Sequence, residues 1–265
     1  MMLFTIDIGN TNVVVGAVDE KHVLFRERIL TDATQTVQWY ADQMLKKLAD
    51  HGLRPYAFEN AVIGSVVPAV TELTSKAWER IRHQKPFIID KDIKTDLNLQ
   101  IDNPAAMGRD ILIGAVAAAG MYPLPQIIFD VGTATTVCVI DKDRNIPGYM
   151  IIPGPYTSLN ALTAKAAQLP EITFDEPPRM LGKNTVECMR SGIMYGHACM
   201  MEEIIHRIET EILHEKATVV ATGGPVVDVI PLIHHEIFLE RDLLLVGMVQ
   251  LYLQEKNLDT AKNAN

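Results

Sequence analysis

At 265 residues, with 48% hydrophobic and 22% charged side chains, the chain can bury the cores of two similar α/β lobes. A formal charge of −9, from 24 Lys plus Arg against 33 Asp plus Glu, argues against a nucleic-acid backbone or an anionic membrane as the main partner, although a local cationic pocket remains compatible with it. No run of about twenty apolar residues occurs. Met1–Asp7 lacks the basic flank of a signal peptide, and Cys138, Cys188 and Cys199 lack metal-ligand spacing, the pattern of a cytoplasmic protein with reduced thiols.

The N-terminal part predicts strands at 2–7, 12–18 and 22–28. The first is almost continuously apolar, and Val13, Val14 and Val15 fit a buried strand. Gly9-Asn10 between the first two is a hairpin signal. Val37, Tyr40, Met44, Leu45 and Leu48 share one helical face, predicting a helix over 35–50 that ends at His51-Gly52. A strand over 61–67, a helix carrying Leu73, Ala77 and Ile81, and a short strand over 86–89 complete an N-terminal lobe, assigned to 1–103. Pro104 suits the first turn of a helix running to Gly120, whose Ala-rich stretch 115–119 suits close packing. The opening pattern then returns as strand 126–130, turn Gly132-Thr133 and strand 135–140. Residues 185–213 predict a long helix bent near Gly192 or Gly196. A strand over 217–222 ends in Gly223-Gly224, and an amphipathic helix over 243–255 closes a C-terminal lobe assigned to 104–265. The polar tail from Thr260 is expected to fray.

Asp7-Ile8-Gly9-Asn10-Thr11 and Asp130-Val131-Gly132-Thr133-Ala134-Thr135 are both apolar strand, Asp, apolar residue, Gly, then small polar residues. They lie about half the chain length apart, which suggests two related lobes facing each other across a cleft. An Asp at a strand end can hold Mg²⁺ directly or through water. Gly9 lets the backbone approach a phosphate with no Cβ in the way, and the N–H groups and side chains of Asn10 and Thr11 can point at phosphate oxygens. By itself the motif also reads as an ordinary hairpin in which Asp7 caps its own turn. The second copy, with Thr133, Thr135 and Thr136, and the Ala221-Thr222-Gly223-Gly224 segment after a third strand, favour nucleotide binding. Gly223 and Gly224 would admit the nucleoside or its α-phosphate close to the backbone. Asp110, at the start of the helix after Asn103-Pro104, is placed to stay ionised and to accept a proton from an attacking hydroxyl. It equally reads as a helix-capping acid beside a surface Arg109.

Asp7-Ile-Gly-Asn-Thr11, Asn103-Pro104…Gly108-x-Asp110, Asp130-x-Gly-Thr-Ala-x-Thr136, Ile152-Pro-Gly154, Leu169-Pro170, Thr185…Ser191-Gly192 and Thr222-Gly-Gly224 follow one another in order. That succession covers nearly the whole chain and resembles the type III pantothenate kinases. The resemblance implies two duplicated ribonuclease H-like, actin-like α/β lobes with a mixed sheet. It implies phosphorylation of pantothenate by ATP, the first step of coenzyme A synthesis, with Mg²⁺, a monovalent cation such as K⁺ or NH₄⁺, and a homodimer. By the family pattern Asp7 is the Mg²⁺-associated acid, Asp110 the general base and Asp130 the acid near the monovalent cation. Asn10, Thr11, Gly132, Thr133 and Thr135 contact phosphates, Gly108 and Arg109 border the acceptor, and Thr185 lines the pantothenate pocket. The chain departs from the pattern at two positions bordering that pocket: Ile111 stands where an Arg is usual, and Ile101 where a Tyr is common. Isoleucine cannot make the planar, charge-assisted bonds of a guanidinium. These departures keep two rivals in view, a kinase for another small hydroxy acid and a non-catalytic regulator that binds nucleotide or pantothenate.

The histidines include no HExxH and no close metal-ligand cluster, and no Gly-x-Ser-x-Gly elbow occurs. The apolar residues Val186, Met189, Ile193, Met200, Ile204 and Ile208 suggest a dimer face along one helix.

Overall fold

The computed structural model describes residues 1–19, 22–90, 92–166, 168–174 and 179–263, the last six as backbone only. Two compact units emerge: Met1–Asn98, Asp102–Gly120 and Asp242–Asn265 form the first, and Leu99–Ile101 with Met121–Arg241 the second.

In the first unit, β1 (Met2–Ile8), β2 (Asn12–Asp19) and β3 (His22–Leu30) form an antiparallel meander. β4 (Asn60–Ser65) and β5 (Phe87–Ile88) add in parallel on the other side, giving the order β3-β2-β1-β4-β5. Phe4, Ile6, Ile8, Val13, Val15 and Ile63 line one face of this sheet. Against that face pack α1 (Val37–Asp50), through Tyr40, Met44 and Leu48, and α2 (Pro68–Arg82), through Val70, Ala77 and Trp78. Helix α1 ends as its sequence predicts, with Gly52 at φ 68° and the Leu53 N–H returning to the Leu48 carbonyl at 2.9 Å.

The opposite face carries Gly16 and Gly64, whose missing side chains let helices sit on the strand backbone. A Cβ on Gly16 would lie 2.7 Å from Leu245, and one on Gly64 2.6 Å from Ile113 and 3.1 Å from Met248. Ile113 belongs to α3 (Arg109–Met121), and Leu245 and Met248 to α7 (Leu243–Asn263). Residues 104–120 and 242–263, read from sequence as part of a lobe at 104–265, therefore pack with the first unit. A sheet apolar on both faces needs helices on both, and these two supply the second layer. Helix α7 also runs past the expected end at 255, to Asn263; of the tail expected to fray, 264–265 lie outside the described residues.

The second unit repeats the plan. The hairpin of β7 (Gln126–Val131) and β8 (Ala134–Ile140) is extended by β10 (Tyr149–Pro153), while β11 (Thr218–Thr222) and β12 (Phe238–Leu239) run parallel, in the order β10-β8-β7-β11-β12. The minor strands β6 (Asn98–Leu99) and β9 (Asn145–Ile146) pair separately. Helix α4 (Pro155–Lys165) follows β10 directly, and the short α6 (Val226–Val229) follows β11. The core joins Ile127, Phe129, Val137 and Val219 to Met194, Ala198, Met201 and Ile205 of α5 (Thr185–Arg207).

Helix α5 is unbroken through Gly192 and Gly196, and its hydrogen bonding changes at Ile208–Leu213, a π-helical turn. That turn contains the buried Glu209, which accepts from Lys216 at 2.6 Å and from the Ala217 N–H at 3.1 Å. Met189, Ile193 and Ile208 are buried in this unit's own packing, and Met200 and Ile204 lie against the same core. The expected apolar dimer face is thus largely used internally. Apolar side chains left exposed in this unit include Met150, Ile151, Tyr156, Leu162, Met180, Leu181 and Ile212.

Candidate active site

The first turn, Gly9–Thr11, is held from both sides. The Gly9 N–H donates to the Asn12 carbonyl at 3.0 Å, the Thr31 hydroxyl to the Gly9 carbonyl at 2.7 Å, and the Thr31 N–H to the Thr11 carbonyl at 3.1 Å. Asn10 and Thr11 stand exposed at its tip. Asp7 is half-buried on the sheet face covered by α3 and α7, opposite Val14 on one side and Gly64 on the other. Ile113 fills the space over Gly64, and Asp110 lies one turn before Ile113 on the same face of α3. Two carboxylates from separate motifs therefore belong to one face of the first unit's sheet.

The helix predicted from Pro104 is broken at Met107, whose extended backbone separates a 3₁₀ turn at Pro104–Ala106 from α3. The break puts Asp110 in the first turn of α3. Its Oδ1 accepts from the Ile111 N–H at 2.9 Å and occupies the space a Cβ on Gly108 would fill. Burial pushes the Asp110 carboxyl above the ordinary aspartate range, and outweighs the opposing backbone hydrogen bonds and the Arg109 charge. The helix terminus alone led to the opposite expectation. Arg109 does not point at an open pocket: its guanidinium donates to the carbonyls of Met107 at 2.7 Å, Asp90 at 3.2 Å, and Pro104 and Ala105 at 3.5 Å. It clamps the segment before α3. Ile111 is only 7% exposed, part of the core under that helix.

The second turn, Gly132-Thr133, is braced by a segment that its own motif does not include. The Gly154 N–H and the Thr157 hydroxyl both donate to the Thr133 carbonyl, at 3.0 and 2.6 Å. A Cβ on Gly154 would overlap the Gly132 carbonyl oxygen. Gly223, at φ 101°, packs so closely on Val131 that its Cβ would overlap the Val131 backbone, so only glycine fits there; Gly224 is exposed beside it.

Register corrects one candidate. Directly opposed residues share a face, and Asp130 opposes Thr136 on β8 and Thr222 on β11, whereas Thr135 opposes Val131. Thr135 is 0% exposed, and its hydroxyl has no partner among the described residues. Thr136 and Thr222, not Thr135, put hydroxyls on the Asp130 side. That oxygen-only set has the chemistry a hard cation takes.

Thr185 opens α5. Asn184 caps the helix by accepting from the Glu187 N–H at 3.0 Å, and Glu187 returns to the Lys183 N–H at 3.0 Å. The bond from the Lys183 N–H, with a second from the Asn184 amide at 2.9 Å, holds the Glu187 carboxyl below its usual range. Thr185 borders a depression of about 710 Å³, with Leu162, Leu169, Lys183, Cys188 and Ile193 among its walls. Among the described residues no group of three or more His, Cys, Asp or Glu side chains could hold a metal. Mg²⁺ needs no such cage, since it binds through one or two carboxylates together with substrate phosphates and water. Asp7 at an exposed Gly-Asn-Thr turn fits that mode.

Two mixed sheets of matching strand order, each with an Asp–x–Gly hairpin, give the chain the actin-like ATPase and sugar-kinase fold. Solved structures of that fold resemble the chain. The activator of the 2-hydroxyisocaproyl-CoA dehydratase from Clostridium difficile with bound ADPNP aligns with a TM-score of 0.59 at 14% identity, over 99% of this chain and 98% of its own. The ROK hexokinase from Thermus thermophilus aligns at 0.51 and 11%, over 96% and 99%. Residues 3–207 match the family model described as type III pantothenate kinase. The type III pantothenate kinase of Exiguobacterium sibiricum is 41% identical over 84% of this chain and 87% of its own length. That of Bacillus cytotoxicus is 38% identical over 84% and 85%. The chain belongs to the type III pantothenate kinase family.

Proposed function

We propose that this protein transfers the γ-phosphoryl group of ATP to the 4′-hydroxyl of pantothenate, the first step of coenzyme A synthesis. The observation that carries the reading is the placement of Asp7 and Asp110 on one face of the first unit's sheet, in a chain of this family. Asp110 accepts the proton of the attacking hydroxyl. Its raised pKa suits that task, because a general base works best with a pKa near the operating pH. Asn10, Thr11, Gly132 and Thr133 hold phosphate oxygens through backbone N–H groups and side chains, and Gly223 and Gly224 leave room for the nucleoside end. Asp7 is the residue that would hold Mg²⁺, and Asp130 with Thr136 and Thr222 would hold K⁺ or NH₄⁺. When bound, the cations neutralise charge on the polyphosphate. Transfer is direct and in line, so the protein contributes positioning and electrostatics, not a covalent intermediate.

Thr185 and the adjoining depression take the pantothenate, with Gly108 leaving space for the base. The protein acts in the cytoplasm as a homodimer, and the exposed apolar residues Ile151 and Leu181 give the contact face. A second reading, a kinase for another small hydroxy acid, is favoured by one observation: Arg109 is engaged by backbone carbonyls and Ile111 is buried, so neither supplies a free guanidinium to the acceptor. The deciding experiment is a phosphoryl-transfer assay with MgATP and K⁺ across pantothenate and related hydroxy acids. Turnover of pantothenate alone supports the first reading. Preference for another acid supports the second, and nucleotide binding without any turnover points to a regulator.

A further inference from the structure

One buried polar side chain outside the motifs is tied to the second turn. His197, on α5, is 8% exposed and has both ring nitrogens against backbone carbonyls: Nδ1 lies 2.8 Å from the Ile193 oxygen and Nε2 3.1 Å from the Pro153 oxygen. The first contact is local, one helical turn back. The second crosses 44 positions to the end of β10. A carbonyl only accepts, so the Nε2 contact is a hydrogen bond when that nitrogen carries its proton and donates. Pro153 is followed by Gly154, which donates to Thr133 and lies against Gly132.

We infer that His197 is a positioning residue for the Gly132-Thr133 turn, acting through the Pro153–Gly154 backbone; the inference rests on reading that turn as a phosphate site. The imidazole fixes the height of the β10 end over α5, and Gly154 passes that position to the turn. Pro153 is itself exposed, so its carbonyl turns to water when the His197 donor is lost, and the loop end is then free to shift. His197 touches neither reacting atom nor nucleotide in this account, so its effect is on nucleotide affinity.

Two substitutions separate the contacts, because an asparagine amide reaches the place of Nδ1 and a glutamine amide that of Nε2. His197→Gln keeps a donor toward Pro153, and His197→Asn keeps only the local contact with Ile193. MgATP affinity is measured by titration calorimetry, alongside KM for ATP and for pantothenate and the melting temperature. The expected result is a roughly three- to tenfold weaker Kd and higher KM for ATP in His197→Asn, with pantothenate KM unchanged and His197→Gln within about twofold of wild type. Equal ATP affinity in both variants and wild type would overturn the inference. So would loss of affinity in both variants in step with their melting temperatures, the mark of a merely structural role. Failure of the wild type itself to bind MgATP would instead overturn the phosphate reading of the turn, and the role of His197 with it.

Discussion

Gly154→Ala isolates the contact on which the second turn depends. The backbone at Gly154 has φ −72° and ψ 168°, which alanine adopts without strain. Any effect is therefore steric. The added Cβ would sit 3.0 Å from the Thr133 oxygen and 3.1 Å from the Gly132 carbonyl carbon, and would overlap the Gly132 oxygen. All three neighbours are backbone, so no rotamer change relieves the overlap. Ordinary contact, from 3.4 Å outward, returns only if turn and β10 separate by well over 1 Å. Overpacking of this kind costs about 1–3 kcal/mol, a fall of about 2–10 °C in melting temperature for a chain of this size. A displacement of about 1 Å in a group that positions the transferred phosphoryl costs about 10²-fold in rate. The assay is kcat/KM for ATP at saturating pantothenate, with Gly148→Ala as control because nothing lies within 4 Å of its added Cβ. Unchanged ATP kinetics in a folded Gly154→Ala protein would refute the idea that this segment sets the turn.

Asp110→Asn is expected to lower kcat by about 10²–10⁴-fold while MgATP still binds. It should also raise the melting temperature at pH 7: a carboxyl whose folded pKa is raised adds stability at acid pH that is lost as pH rises through the folded value, so the gain shrinks toward pH 4. Asp7→Asn and Asp130→Asn should leave circular dichroism unchanged and cut metal-dependent turnover strongly; full activity in either misplaces the site. Ile111→Arg, which restores the family's guanidinium on paper, should lower stability by about 3 kcal/mol or more by burying a cation, and should not tighten pantothenate binding. Ile151→Glu with Leu181→Glu should shift a dimer toward monomer in light scattering; an unchanged dimer would move the contact face elsewhere.

Much of this architecture was legible in the sequence because the signals were local. Apolar runs ending in Asp–x–Gly fixed both hairpins, and His51-Gly52 marked a helix end that the αL glycine confirms. Near-continuous apolarity in β1, with Val13, Val14 and Val15 in β2, marked buried strands. Which helices form the second cover was not legible, since α3 and α7 are far apart in sequence and come together through close approaches such as those at Gly16, Gly64 and Gly247. Thr135 was chosen over Thr136 because composition does not reveal register, and a one-residue step exchanges the two faces of a strand. Asp110 was found, but the direction of its pKa was not, because burial is a tertiary property. Arg109 looked like a candidate substrate ligand until the break at Met107 turned its guanidinium onto carbonyls. Gly154 was visible only as part of Ile152-Pro-Gly154, with nothing local to connect it to Gly132.

The most direct test of the central claim is phosphoryl transfer itself: purified protein with MgATP, pantothenate and K⁺, followed by mass-spectrometric detection of 4′-phosphopantothenate. Product is expected to require Mg²⁺, to rise with K⁺ and to form at least about 100-fold more slowly in Asp110→Asn. Absence of 4′-phosphopantothenate from the wild-type reaction, in protein that binds MgATP, would contradict it.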